Sequence, residues 1–257
     1  DKAGEHVPDA RVPVTDAQRV VLLGDPGSGK TTTLLQLAVD LARAVQDDAT
    51  APIPVFVPLR KFDGVTTFPE FVKAQTYNLQ DHYTDLLKRH EVIFLLDAFN
   101  EMPRTADDGR ALVSEVQAFA SDHARWVLSC RVRDYQEELR EVDGVSKVRI
   151  QPLDPPRIYD VIQRRFSEQY APAGIATADD GEGLWGEMKG NDTLLKVWQK
   201  LVDAGNQNAF WGKREPEQLD WFTSEYRTWH AMRDDKRRML HLCRNPYMTK
   251  MVCDIYA

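Results

Sequence analysis

The stretch Val20-Val21-Leu22-Leu23-Gly24-Asp25-Pro26-Gly27-Ser28-Gly29-Lys30-Thr31-Thr32-Thr33 decides how the rest of the chain is read. Four apolar residues without polar alternation describe a strand buried on both faces. Behind them Gly24 to Thr31 fit the spacing G-x-x-x-x-G-K-[ST]. Leu34, Leu37, Ala38, Leu41 and Val45 then recur at helical intervals. A strand, a glycine-rich turn and a helix in that order make a phosphate-binding loop. Gly24, Gly27 and Gly29 let the backbone through Asp25, Pro26 and Ser28 curl into an anion nest. The following helix adds its positive N-terminal end, with Thr32 in the first turn. Lys30 is placed to reach β- and γ-phosphates, and the Thr31 hydroxyl to ligate Mg2+.

Working outward, short apolar runs at Val20–Leu23, Ile53–Val57, Val92–Leu96, Trp126–Leu128 and, more weakly, Val148–Ile150 alternate with amphipathic helical stretches. That alternation predicts a parallel five-stranded sheet covered by helices, an α/β fold. Lys147, Val148, Arg149 and Ile150 alternate in polarity, which suits an edge strand. Thr67 and Glu70 are spaced as a capping box, and Leu112, Val113, Val116 and Phe119 mark another helix. From Pro152 the strand pattern stops. Pro155 and Pro156 open a helix carrying Ile158, Val161, Ile162 and Phe166, and residues 171–190, rich in Gly, Ala and acids, read as a mobile loop. Leu194, Leu195, Trp198, Leu201 and Val202 form a helical stripe, with Asp192 as N-cap and Gly205 at C′. Phe222, Tyr226, Trp229, Met232, Met239 and Cys243 extend a further helical face. The expected division is a nucleotide-binding α/β domain over 1–151 and a small helical domain over 152–257.

Asp97 follows the buried run Val92–Leu96 at the carboxyl end of its strand, where ligands gather in open α/β sheets. A carboxylate there can hold the water shell of magnesium. Four residues on stands Glu101, the one acid close enough to orient or deprotonate an attacking water. Asn100 can hydrogen-bond but is no base at neutral pH. Arg131, just beyond Trp126-Val127-Leu128-Ser129-Cys130, is placed to contact a γ-phosphate; the alternative is a surface arginine pairing with Asp134 or Glu137.

With 257 residues, 42% of them hydrophobic and 28% charged, the chain can bury a core without disulfide or metal staples. Asp and Glu number 40 against 33 Lys and Arg, a formal net charge of −7. Such a balance gives no electrostatic reason to expect nucleic acid or an acidic membrane. Lys236-Arg237-Arg238, beside Asp234 and Asp235, reads as a mixed-charge helix face. The three cysteines and six histidines lack metal-ligand spacing, and the cysteines read as reduced thiols of a cytoplasmic protein. No apolar run approaches the roughly 18–20 residues of a membrane span, and residues 1–12 lack the apolar h-region of a signal peptide. A start at Asp1 and an end in a helix-like stretch at Ala257 read as a fragment of something longer.

These residues together resemble the NACHT family of signal-transducing NTPases, relatives of NOD-like receptors and bacterial antiphage proteins within the AAA+/STAND-like P-loop group. The resemblance runs from about Val12 to Ala257. It is carried by GDPGSGKTT, PVFVPLR at Pro54–Arg60, VIFLLDAFNEMP at Val92–Pro103, LSCRVRDY at Leu128–Tyr135, IQPLDP at Ile150–Pro155 and RNPYMTKMV at Arg244–Val252. The most specific piece is Asp97-Ala98-Phe99-Asn100-Glu101, because the family puts a small residue after the magnesium Asp and acids three and four places on. Asn100 departs from that pattern and leaves Glu101 to position the water. The resemblance implies Arg131 as a sensor arginine, and Pro246, after an N-cap at Asn245, packing on the base. It implies slow ATP hydrolysis, with GTP as the alternative nucleotide, driving a conformational and oligomerisation switch in innate immune or antiphage defence. Homo-oligomerisation of the active protein, and effector, winged-helix and sensor regions outside this chain, are implied in the same way. Residues 171–216, with Trp185, Trp198 and Trp211, have no counterpart and read as an insertion. The phosphate loop by itself leaves open a small-molecule kinase, a constitutive ATPase motor or a nucleotide-binding scaffold without hydrolysis; no Leu-Ser-Gly-Gly transporter signature is present.

Overall fold

The computed structural model describes residues 11, 18–89, 92–123, 125–139, 144–189, 192–212, 224–235 and 238–257. Phe222, Lys236 and Arg237 lie outside them. The chain divides into two compact units, Asp1–Ile150 and Gln151–Ala257.

In the first unit, alternate side chains of β1 (Arg19–Leu23) enter two different cores. Val20 and Leu22 pack with Ile93, Leu95 and Val127 against Leu34, Leu37 and Leu41 of α1 (Lys30–Asp47). Val21 and Leu23 face the other way, with Val55, Val57, Phe94, Leu96 and Leu128, toward α2 (Phe68–Ala74) and α4 (Leu112–Asp122). The remaining strands are β2 (Ile53–Pro58), β3 (Val92–Asp97), β4 (Trp126–Cys130) and β5 (Ser146–Arg149), with α3 (Tyr83–Lys88) before β3. The order is β2-β3-β4-β1-β5, and every pairing is parallel. Two buried faces explain why β1, β3 and β4 carry unbroken apolar runs. β5 is largely exposed and, among the described residues, pairs only with β1, as the polarity of Lys147–Ile150 implies. This is the three-layer α/β fold of a P-loop NTPase.

Thr67 and Glu70 do form a capping box at α2: Glu70 accepts the Thr67 N–H at 3.0 Å and the hydroxyl at 2.8 Å.

The second unit is helical, and its core is a single cluster that includes Ile158, Phe166, Trp185, Leu201, Trp229 and Cys253. Its helices are α5 (Pro155–Arg164), which runs on into π-helical turns at Arg165–Tyr170, α6 (Ala178–Lys189), α7 (Thr193–Asp203), α8 (Ser224–Asp234), α9 (Met239–Cys243) and α10 (Pro246–Tyr256). The loop expected over 171–190 is wrong for most of that stretch. Gly181, Leu184, Trp185 and Met188 form a buried stripe at i, i+3, i+4 and i+7. Asp180 starts the helix by accepting the Thr177 N–H and hydroxyl, each at 2.8 Å. Gly181 looks like a breaker but is a close contact, since a Cβ there would lie 3.1 Å from Phe166 Cβ.

Asp192 stands at the N-cap of α7 without capping it: its φ is 63°, and its carboxylate pairs with Lys189 at 2.9 Å instead. Gly205 ends α7 as expected. With φ 66°, it donates its N–H to Val202 O, while Asn206 N–H reaches Leu201 O, the two bonds of a Schellman motif. The face expected to run from Tyr226 to Cys243 is divided between α8 and α9.

Candidate nucleotide site

β3, β4 and β1 lie side by side with β4 in the middle, so their carboxyl ends set three loops on one rim. The loop after β1 starts at Gly24, whose N–H reaches Cys130 O at 3.4 Å, and it is tightened by Ser28 N–H on Asp25 O at 3.1 Å. Gly27 and Gly29 have φ of 73° and 94°, where an L side chain costs about 1–2 kcal/mol. Gly24 is closely approached: a Cβ there would crowd the Ser28 hydroxyl, which would have to turn aside. That hydroxyl is buried and has no partner among the described residues. A buried unpaired hydroxyl costs about 1–3 kcal/mol, which an oxyanion held in the curl offsets.

Lys30 and Thr31 open α1, with Thr32 exposed beside them. Lys30 Nζ donates to Gly24 O at 2.8 Å and Asp25 O at 3.0 Å. Burial holds its pKa below the ordinary lysine value, and the Arg131 cation lowers it further; Asp25 and Asp97 act in the opposite sense. Two cations close enough to repel favour an anion between them.

Across the cleft, Thr31 Oγ1 lies 3.1 Å from Asp97 Oδ1 and 3.0 Å from Oδ2. Neighbouring oxygens around an octahedral magnesium with bonds of about 2.1 Å are roughly 3 Å apart. Hydroxyl and carboxylate therefore suit one magnesium shell, in which they would hold the ion and leave it most of its water. Asp97 is only 6% exposed. The fully buried Ser129 of β4 donates to Asp97 Oδ1 at 2.7 Å and accepts the Ala98 N–H at 2.8 Å. One hydroxyl thus fixes the carboxylate and the turn that follows it. Ala98 itself is left-handed, φ 62° and ψ 47°, which accounts for a small residue after Asp97.

Glu101 ends the 3-10 turn Phe99–Glu101, exposed, with its N–H on Ala98 O at 2.9 Å. Arg131 is exposed at the N-cap of the one-turn helix Val132–Asp134. Among the described residues it makes no ion pair, and Glu137 pairs with Arg133 at 2.8 Å.

The structure thus gathers Gly24 through Thr31, Asp97 and Arg131 at one rim, with Glu101 on the adjoining turn. Pro246 belongs to the second unit, where it is the first residue of α10. Asn245 caps that helix, its side chain accepting the N–H groups of Tyr247 at 3.0 Å and Met248 at 3.4 Å. The sequence reading passed over Ser129. Its one signal was a lone hydroxyl in an otherwise apolar strand.

The residues present therefore fit a magnesium-bound polyphosphate: a buried hydroxyl without a partner, a curl that a Cβ would fill, and paired oxygens at the spacing of a magnesium shell. The family model described as NACHT domain matches residues 18–169, more than half of the chain. No curated protein is similar enough to this chain to count as a match. With the fold, the loop and the Thr31–Asp97 pair in place, the chain belongs to the NACHT family and carries its P-loop NTPase module.

Proposed function

We propose that this module binds ATP with magnesium and hydrolyses it slowly, as a conformational and oligomerisation switch in innate immune or antiphage defence. The observation that carries the reading is the relay from Thr31 through Asp97 to Ser129 and Ala98. It ties the metal position on one side of the cleft to the turn bearing Glu101 on the other. Bound magnesium supplies charge neutralisation on the β- and γ-phosphates. Gly24 to Gly29 wrap the phosphates, Lys30 steadies their charge, and Thr31 with Asp97 holds the ion's shell. Glu101 orients and deprotonates the water, and Arg131 contacts the γ-phosphate. The role of Pro246 at the base rests on the family. The cytoplasmic setting rests on the reading of the cysteines as reduced thiols; the preference for ATP over GTP, the defence role and assembly into homo-oligomers rest on the family. The insertion at 171–216 also rests on the family, and the division at 151/152 on the end of the strand pattern at Pro152.

The test combines calorimetry with single-turnover phosphate release from Mg–ATP and Mg–GTP. Lys30→Ala is expected to weaken binding by roughly a hundredfold or more, as loss of a phosphate-contacting cation in a shielded site does. Glu101→Gln is expected to bind as wild type does and to turn over more slowly. Unchanged affinity in the first variant removes the phosphate loop from the account, and a wild-type rate in the second removes Glu101. Tight binding with no phosphate release by wild type favours a nucleotide-binding scaffold; transfer to a metabolite favours a small-molecule kinase.

A further inference from the structure

Arg104 follows the Glu101 turn, and its guanidinium is bonded to the protein through Nε and Nη1. Nη1 donates to Phe99 O and to Met102 O, each at 2.9 Å, so it grips the carbonyls on either side of Asn100-Glu101. Nε donates to Glu138 Oε1 at 3.0 Å, and Nη2 stands 2.9 Å from Oε2. The guanidinium carbon lies 5.1 Å from the Phe99 ring centroid. Glu138 sits in the π-helical turns Tyr135–Leu139 that continue the segment opened by Arg131. Gln117 of α4 holds the Glu138 carbonyl, and Tyr135 N–H is bonded to Arg131 O at 3.1 Å. Both partners are partly shielded, with side chains 35% and 27% exposed. A planar five-donor fork can meet this set of acceptors; an ammonium on a flexible stem cannot.

We infer that Arg104 is a positioning residue: it holds the turn bearing Glu101 against the segment that begins at Arg131, so that the water-orienting acid and the γ-phosphate-contacting arginine keep one spacing. The inference rests on the proposed role of Glu101. It gives Arg104 no contact with nucleotide, so its effect falls on the chemical step and not on binding. Misplacing a reacting group by about 1 Å can cost about a hundredfold in rate.

The experiment is a double-mutant cycle on the 257-residue chain, reading single-turnover phosphate release and the Kd for Mg–ATP. Arg104→Lys is expected to slow release by roughly ten- to a hundredfold with Kd unchanged within about threefold. Glu138→Gln, which leaves the Phe99 and Met102 contacts in place, is expected to give a smaller loss of the same kind. It carries the test if Arg104→Lys fails to fold. In the Glu101→Gln background, adding Arg104→Lys or Glu138→Gln is expected to slow release no further, because the group being positioned is gone. Full-rate release by Arg104→Lys, a loss seen mainly in Kd, or additive losses on Glu101→Gln would each overturn the inference while leaving the Glu101 reading intact. A wild-type rate in Glu101→Gln alone would instead overturn the reading on which the inference rests.

Discussion

Replacing Ser129 by alanine removes one oxygen atom and two hydrogen bonds from the floor of the site. The hydroxyl is fully buried, so water does not stand in for it without some rearrangement. Its bond to Asp97 Oδ1, at 2.7 Å, is to a charged acceptor and is worth about 1.5–3 kcal/mol. The Ala98 N–H, now 2.8 Å from that hydroxyl, is left buried without an acceptor at a cost of about 1–3 kcal/mol. Partial relaxation of the Asp97 carboxylate recovers some of this, which leaves an expected net loss of about 2–4 kcal/mol. For a protein of this size each kcal/mol lowers the melting temperature by roughly 2–4 °C. The same substitution frees Asp97 from its support, and loss of such outer partners commonly weakens metal binding ten- to a hundredfold, as an order of magnitude. Thermal unfolding of the nucleotide-free chain measures the first effect. Titration of Mg2+ at fixed ATP, followed by calorimetry, measures the second. A Ser129→Ala protein with unchanged melting temperature and unchanged magnesium dependence would refute the reasoning, because the two bonds would then carry nothing.

Three further expectations follow from local geometry. Lys30 has a pKa below 10.5 in the fold, so between its folded value and 10.5 the unfolded chain binds more protons; stability therefore rises with pH across that window. Lys30→Met should lack that rise, which paired melting curves without nucleotide between about pH 8 and about pH 11 will show. Ala98→Val puts a β-branched side chain at φ 62° and should destabilise the first unit by about 2 kcal/mol or more, read from urea unfolding. Burial pushes the thiols of Cys130 and Cys243 up to about 12 and that of Cys253 up to about 11. A thiol-disulfide reagent near pH 8 should find almost no reactive thiol in the native chain and all three after denaturation.

The phosphate loop could be read from the linear chain because its parts are contiguous. Strand, curl and helix each need only residues within a turn or two, and three glycines, a lysine and a threonine satisfy those needs in one short run. Asp97 was readable for a similar reason, since an apolar run with no alternation announces a strand buried on both faces and its last residue marks the strand's end. The Thr67–Glu70 box and the Gly205 stop depend on neighbours a few residues apart, and both are present. α6 was missed because Gly181, taken alone, looks like a break; only the approach of Phe166 gives the missing side chain a purpose. Asp192 occupies the expected position but not the expected bond, since a lysine three residues earlier captures its carboxylate.

Ser129 and Arg104 lie beyond any local rule. Asp97 and Glu138 stand 32 and 34 residues from them along the chain and become neighbours because β4 lies beside β3. Composition and spacing set which residues can bind a phosphate. Strand order alone brings a serine under the Asp97 carboxylate and Glu138 onto the arginine that grips the acidic turn, because hydrogen bonds act over about 3 Å of space and take no account of distance along the chain.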